Sequence, residues 1–239
     1  MDKDLLIYGA GGAGRELAFS LSLEKDSKHA LHVDDEENSL WGREVNIAKH
    51  AWHVAGLIDD DDYLWGRELN GIPVKGGFDW LKKNGGNVSI CLVADPHEKQ
   101  ALVKNLKTIK SVNFPLVIAP GSSIYDYVKW GEGCLVAHAY NYITVNIKIG
   151  DFVFINCGNG IGHDVEIGDY TTVYSHIDIS GGTKIGSHCI IGSGVTINPS
   201  VRIGNDVIVG AGSVVVRDVP DNVTIAGVPA KVIKEHTSD

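Results

Sequence analysis

The chain has one methionine in 239 residues, few aromatics (8%) and no surplus of positive charge. A single Met excludes a flexible, Met-rich binding surface. Lys and Arg number 21 against 30 Asp and Glu, a net charge of −9. Holding many phosphates needs collected cations, so nucleic acid is not an expected partner. One small phosphorylated ligand in a local pocket remains compatible with this balance. Cys91, Cys134, Cys157 and Cys189 are scattered, without a C-x-x-C pair. They suit neither a zinc site nor a dense disulfide framework, and reduced, mostly buried thiols are expected. No stretch approaches the roughly 18–20 apolar residues of a spanning helix. Met1-Asp2-Lys3-Asp4 is acidic where a signal peptide is basic, so no membrane association and a cytoplasmic location are the expectations.

Glycine, by contrast, is abundant at 29 residues, and it enters a regular beat in the second half. Every sixth residue from Ile149 is a β-branched aliphatic: Ile149, Ile155, Ile161, Ile167, Val173, Ile179, Ile185, Ile191, Ile197, Ile203, Val209 and Val215. With 44% hydrophobic residues, chance gives ~0.00005 for one chosen frame. Gly often follows, as at Gly150, Gly162, Gly168, Gly186, Gly192, Gly204 and Gly210. Weaker beats fall at Ile124, Trp130 and Val136, then at Ile143 after seven residues, which predicts a bulge or loop around 137–142. Period six fits short strands separated by tight corners, with one stiff side chain per strand turned inward and glycine supplying unusual corner dihedrals. No hexad can bury its own face, so the coils must stack into a solenoid.

Residues 1–114 have a different rhythm. Leu5–Tyr8 reads as a buried strand, followed by Gly9-Ala10-Gly11-Gly12-Ala13-Gly14 and a helix from Arg15. Strands at His53–Ile58 and Val88–Ala94 and helices at Phe78–Lys83 and Glu98–Lys107 are predicted, which makes a small parallel α/β unit with a boundary near Phe114-Pro115. The expected organisation is therefore an α/β domain over 1–114 and a β-solenoid over 115–239. Leu40-Trp41-Gly42-Arg43-Glu44 recurs at Leu64-Trp65-Gly66-Arg67-Glu68, an offset of 24 for which no functional account is offered.

The glycine loop, with Gly9, Gly11, Gly12 and Gly14, follows a strand and opens a helix, the setting in which backbone N–H groups approach a diphosphate. With only about 115 residues before the solenoid, no dehydrogenase catalytic domain remains, so a nucleotide diphosphate other than NAD fits better than a nicotinamide-dependent oxidoreductase. Asp59 and Asp60 end the second strand. They would repel a phosphate and belong at the nucleoside end, where carboxylates accept from ribose hydroxyls or a base N–H. Asp61 and Asp62 read as a solvated turn.

His163 is the histidine best placed for chemistry. One coil of three hexads is 18 residues, so Gly181 falls one coil away, about 4.8 Å along the stack, and Gly182 follows it. A ligand can pass close to backbone that lacks Cβ, beside an imidazole and a bare N–H, the minimum for acyl transfer. Asp164 is the obvious group to orient the ring, although adjacent strand residues face opposite sides and only a corner lets it reach. His176 and His188 are 12 apart, on different faces of a three-sided coil, and no metal site is expected. No G-x-S-x-G elbow is present and nothing supports a cysteine nucleophile.

Taken together, the chain resembles the bacterial hexapeptide-repeat acetyltransferases that act on nucleotide-activated amino sugars, including UDP-4-amino-sugar, perosamine and sialic-acid acetyltransferases. The resemblance runs from Ile7-Tyr8-Gly9-Ala10-Gly11-Gly12 through Gly56-Leu57-Ile58-Asp59-Asp60-Asp61 to Gly227-Val228-Pro229-Ala230-Lys231. Its most specific segment is Ile155-Asn156, Gly162-His163-Asp164, Ile167-Gly168-Asp169 and Ser180-Gly181-Gly182. It implies a Rossmann-like N-terminal domain holding the nucleotide sugar and a left-handed parallel β-helix. It also implies a homotrimer with active sites between subunits and acetyl-CoA along the groove between neighbouring solenoids. His163 then matches the general base, Asp164 its acidic partner, Asn156 an acceptor contact and Gly181 the N–H donor to the thioester carbonyl. Ser193 and Ala211 match positions lining the coenzyme groove, and Gly227, Pro229 and Lys231 the end that closes over it. The family often carries a second His nine residues after the base, where this chain has Thr172. Residues 24–52 look longer than usual, and Tyr125, Tyr127, Trp130, Tyr140 and Tyr142 stand where smaller residues are expected. The implied reaction is acetyl transfer to a sugar amine, with O-acetylation of a sialic-acid-like hydroxyl as the alternative and a non-catalytic nucleotide-sugar-binding scaffold as a third reading.

Overall fold

A computed structural model of the chain describes residues 3–22, 52–84 and 87–236. The echo at 40–44 and the long segment 24–52, apart from its last residue, lie outside them.

The first part alternates strand and helix as predicted. β1 (Lys3–Tyr8), α1 (Gly12–Ser22), β2 (Trp52–Ile58), β3 (Glu68–Leu69), β4 (Ile72–Gly76), α2 (Phe78–Asn84), β5 (Val88–Leu92), α3 (Pro96–Leu106) and β6 (Val112–Asn113) follow in order. The sheet order is β3-β4-β2-β1-β5-β6, parallel except where β3 meets β4. The β3–β4 hairpin begins at the last residue of the echoed Leu64–Glu68 segment, and its turn signal is present in the sequence. Asn70-Gly71 links the strands with both residues left-handed (φ 52° and 81°), as a tight two-residue hairpin turn requires. α3 also begins earlier than expected, because Asp95 caps it through the His97 N–H and Pro96 fits its first turn.

From Val117 the chain winds as a three-sided parallel β-helix of two-residue strands. Face 1 carries Leu135–Val136, Phe154–Ile155, Thr172–Val173 and Ile190–Ile191. Face 2 carries Tyr142–Ile143, Gly160–Ile161, Asp178–Ile179 and Thr196–Ile197. Face 3 carries Lys148–Ile149, Glu166–Ile167, Lys184–Ile185 and Arg202–Ile203. Partners are 18 residues apart in these coils, but 19 where Leu135 meets Phe154, which is the slip expected around 137–142.

The structure corrects the sequence reading twice. Each hexad turns two side chains inward, not one. The second row, two residues before the first, runs Ile147, Val153, Asn159, Val165, Thr171, Ile177, Thr183, Cys189, Val195, Val201, Val207 and Ser213, all buried. The glycines after the inward aliphatics are also needed for a different reason. A Cβ on Gly168 would lie 2.6 Å from the Gly186 carbonyl carbon, and one on Gly186 2.5 Å from the Gly204 oxygen, so close stacking of coils demands them. The left-handed residue comes two positions later, at Asn146, Phe152, Gly158, Asp164, Tyr170, His176, Gly182, His188, Gly194 and Ser200.

The strands leave three edges. Edge A lies between faces 3 and 1, edge B between faces 1 and 2, edge C between faces 2 and 3. The α/β unit covers face 1 and edge A. Leu17, Ala18 and Leu21 of α1 pack with Val117, Leu135 and Phe154, whose side chains point outward from face 1. On edge A, Phe152, Tyr170 and His188 stack in series, and His97 of α3 stacks on His188.

Candidate functional site

The turn at 163–164 settles how Asp164 reaches its neighbour. Asp164 is left-handed (φ 59°), so the alternation of an extended strand is broken at the corner. Its Oδ2 lies 2.8 Å from His163 Nδ1. That hydrogen bond, aided by the Asn146 side chain, holds the Asp164 carboxyl below its ordinary range. An ionised carboxylate on Nδ1 leaves Nε2 free to accept a proton.

Nε2 points along edge C at Gly181. A Cβ built on Gly181 would lie 2.5 Å from it, so the imidazole keeps this position only over a residue without a side chain. The coils are locked in register here, with the Gly182 N–H donating to the His163 carbonyl at 2.8 Å and the Ser200 N–H to Gly181 at 3.0 Å. The side chains of His163 and Asp164 are 68% and 59% exposed, so the pair is presented on an open edge. The surface furrow of about 460 Å³ over Lys148, Glu166, Lys184 and Arg202 on face 3 holds neither residue.

Edges differ in their backbone donors. Edge A is closed by a side-chain ladder. The N–H groups of Glu132, Asp151, Asp169, Ser187 and Asn205 each donate to Asp151, Asp169, Ser187, Asn205 and Asp221 in turn. Among the described residues, the N–H groups of His163 and Gly181 on edge C meet no acceptor. Neither do those of Ser175, Ser193 and Ala211 on edge B. Edges B and C are therefore the lines along which a ligand carbonyl can be received.

The remaining residues singled out by sequence fall elsewhere. Asn156, Ser193 and Ala211 lie on edge B, one face away from His163, and the Asn156 side chain accepts from the Cys157 N–H at 2.8 Å. The strands Val223–Gly227 and Ala230–Glu235 add a hairpin to face 1. It brings Gly227, whose N–H donates to Ser213 Oγ, and the exposed Pro229 and Lys231 to the C-terminal end of edge B. Thr172 lies on face 1, buried and distant from edge C, and its hydroxyl meets no partner among the described residues.

In the α/β unit the four glycines divide. Cβ atoms on Gly9 and Gly14 would strike Val93 O at 2.5 Å and Gly9 O at 1.8 Å, so these two shape the turn. Gly11 and Gly12 face open space at the C-terminal end of β1, beside the point where strand order reverses. Asp59 and Asp60 are already engaged. Asp59 accepts from the Ala10 and Asp61 N–H groups, and Asp60 from Tyr8 Oη and the N-terminus of α2 at Phe78. Asp59 therefore occupies one loop donor and leaves the later ones for a phosphate. No group of three or more His, Cys, Asp or Glu side chains among the described residues could hold a metal. All four cysteines are free thiols, and burial pushes Cys91 up to about 12 and Cys134 and Cys189 to about 11, far from nucleophilic character. No helix among the described residues is long and apolar enough to cross a membrane.

Comparison with known proteins bears on this geometry. The bacterial transferase hexapeptide (six repeats) model matches residues 182–217. Perosamine N-acetyltransferase from Caulobacter crescentus, solved with CoA and GDP-perosamine, superposes with a TM-score of 0.78 at 27% identity over 97% of each chain. Residues 182–217 thus carry the hexapeptide repeat of bacterial transferases, and the whole fold is similar to that of this acetyltransferase. Another solved structure similar to this chain is WeeI from Acinetobacter baumannii AYE, with a TM-score of 0.71, 27% identity, and coverage of 97% of this chain and 100% of that one. The acetyltransferase domain of PglB from Neisseria gonorrhoeae FA1090 shares the fold at 24% identity, with a TM-score of 0.77 over 97% of this chain and 100% of that domain. No curated protein sequence matches the chain.

Proposed function

We propose that this chain is an acetyl-CoA-dependent N-acetyltransferase that modifies the amine of a nucleotide-activated 4-amino sugar, UDP- or GDP-linked. The observation that carries the reading is His163 Nε2 resting against Gly181 while Asp164 holds Nδ1. His163 accepts the proton as the sugar amine attacks the acetyl carbonyl. The Gly181 N–H donates to the oxygen as it becomes an oxyanion. A C–N bond forms, the C–S bond breaks, and His163 returns its proton to the departing sulfur, so that CoA leaves as the thiol. The open N–H groups of edge B suit the amide carbonyls of a pantetheine arm.

The site requires a second copy of the chain. The open glycines Gly11 and Gly12 belong to the unit that covers face 1, whereas His163 stands on the opposite edge. Edge B of one copy set against edge C of the next unites Asn156, Ser193, Ala211, Gly227 and Pro229 with His163 and Gly181. A homotrimer closes three such grooves. The comparison enzyme bound to CoA and GDP-perosamine supports both ligands.

The test is release of free thiol from acetyl-CoA across UDP- and GDP-4-amino sugars and sialic acids. Thiol release with an amino sugar, abolished by His163→Ala, is expected. Release only with a sialic acid would move the acceptor to a hydroxyl. Nucleotide-sugar binding without release under any acceptor would make the chain a scaffold.

A further inference from the structure

We propose that Tyr125, Tyr127 and Tyr142 form a stacking platform for the pyranose ring of the acceptor, on the N-terminal side of His163. The proposal rests on the acetyl-transfer reading above.

Register places the three rings. Lys129 pairs with Lys148, and Lys148 with Glu166. Two residues before each stand Tyr127, Asn146 and Asp164, all left-handed (φ 65°, 59° and 59°). They are one column along edge C, and Tyr127 is two coils, about 9.6 Å, below Asp164. Tyr142 pairs with Gly160 on face 2, and the Tyr125 N–H donates to Ile143 at 2.9 Å beside it. Tyr142 Oη donates to Tyr125 Oη at 2.8 Å, and their rings meet edge-to-face with centroids 5.2 Å apart.

These rings are 40%, 77% and 49% exposed for Tyr125, Tyr127 and Tyr142, so they are not core residues. Edge C is thereby divided at His163. Its C-terminal side is Gly181 and Gly182, bare backbone where a thioester can meet an N–H. Beyond the coil of Thr144, Val145 and Asn146, its N-terminal side carries Tyr125 and Tyr127, with Tyr142 beside them on face 2, and so presents aromatic rings and three hydroxyls. A pyranose matches that side. Its C–H face lies on an aromatic ring while its hydroxyls pair with phenol oxygens, and the edge-to-face pair offers both at once. A sugar seated there directs its amine up the edge at Nε2, from the side opposite the thioester.

The experiment is steady-state thiol release by Tyr127→Ala, Tyr142→Ala and Tyr142→Phe, with acceptor and acetyl-CoA varied separately. Both alanine variants are expected to raise acceptor KM roughly tenfold or more and leave the KM for acetyl-CoA unchanged. Tyr142→Phe should recover most of the loss through its ring. An unchanged acceptor KM overturns the platform. So does an altered mass by light scattering, which would assign the rings to contact with a second copy. If the wild type releases no thiol with any amino sugar, the acetyl-transfer reading has failed on its own. Calorimetry with UDP- and GDP-amino sugars then tests the rings directly, and equal affinity of wild type and Tyr127→Ala overturns the platform.

Discussion

His163 and Asp164 are neighbours in sequence that face each other only because the second of them is left-handed. The corner turns the Asp164 carboxylate back onto Nδ1, and the hydrogen bond holds its pKa below the ordinary value. His163→Ala should therefore lower kcat by roughly 100- to 10,000-fold, the worth of a general base, without loss of fold, because the ring is exposed. Asp164→Asn keeps a residue that tolerates the left-handed turn and removes the charge. It should lower kcat by a smaller factor with acetyl-CoA KM intact. Thiol-release rates and circular dichroism check both, and wild-type turnover in His163→Ala would remove the mechanism.

Gly181 makes a sharper demand. A methyl group there would sit 2.5 Å from His163 Nε2, so the ring must leave its position. Gly181→Ala should cost about 100-fold or more in kcat while the melting temperature barely changes, since the side chain that yields is a solvent-exposed one.

Much of this was legible beforehand because a solenoid converts sequence spacing directly into distance. Eighteen residues separate His163 from Gly181, and parallel stacking turns that number into contact. The same logic missed the second inward row, from Ile147 to Ser213, because its mixture of Val, Thr, Asn and Cys hides the beat that the pure Ile and Val row displays. Edge assignment was harder. Asn156 and His163 are seven residues apart and look adjacent in sequence, yet a full face separates them. The engagement of Asp59 and Asp60 with Ala10, Tyr8 and Phe78 was not legible at all, since those contacts cross the sheet between distant segments.

The glycine loop yields a paired prediction. Gly14→Ala forces a methyl group to 1.8 Å from the Gly9 carbonyl oxygen and should destabilise the α/β unit by about 1–3 kcal/mol or more, the usual cost of overpacking. Gly11→Ala meets open space and should leave stability unchanged. If the loop receives the acceptor's diphosphate, Gly11→Ala raises acceptor KM alone. Chemical denaturation and acceptor-varied kinetics separate the two effects.

Lys99 supplies the last prediction, on stability and not turnover. It is 2% exposed where α3 packs on edge A, and its ammonium meets no acceptor among the described residues. Burial lowers its pKa from 10.5 to about 8, with Cys134 and Asp95 only partly opposing the shift. A cation whose folded-state pKa is lowered carries a penalty while it is charged. Between about 8 and 10.5 the unfolded chain holds a proton that the folded chain has released, so stability rises with pH across that window. The full rise is on the order of 3 kcal/mol, two and a half pKa steps at 1.36 kcal/mol each. Lys99→Met fills the same space without the charge and should be more stable than the wild type at pH 7, by up to about that amount. The advantage should shrink as pH rises through 8 toward 10. Urea midpoints for both proteins at pH 7 and pH 9.5 read the difference directly. A constant gap at the two pH values would show that the ammonium finds a partner in the folded chain.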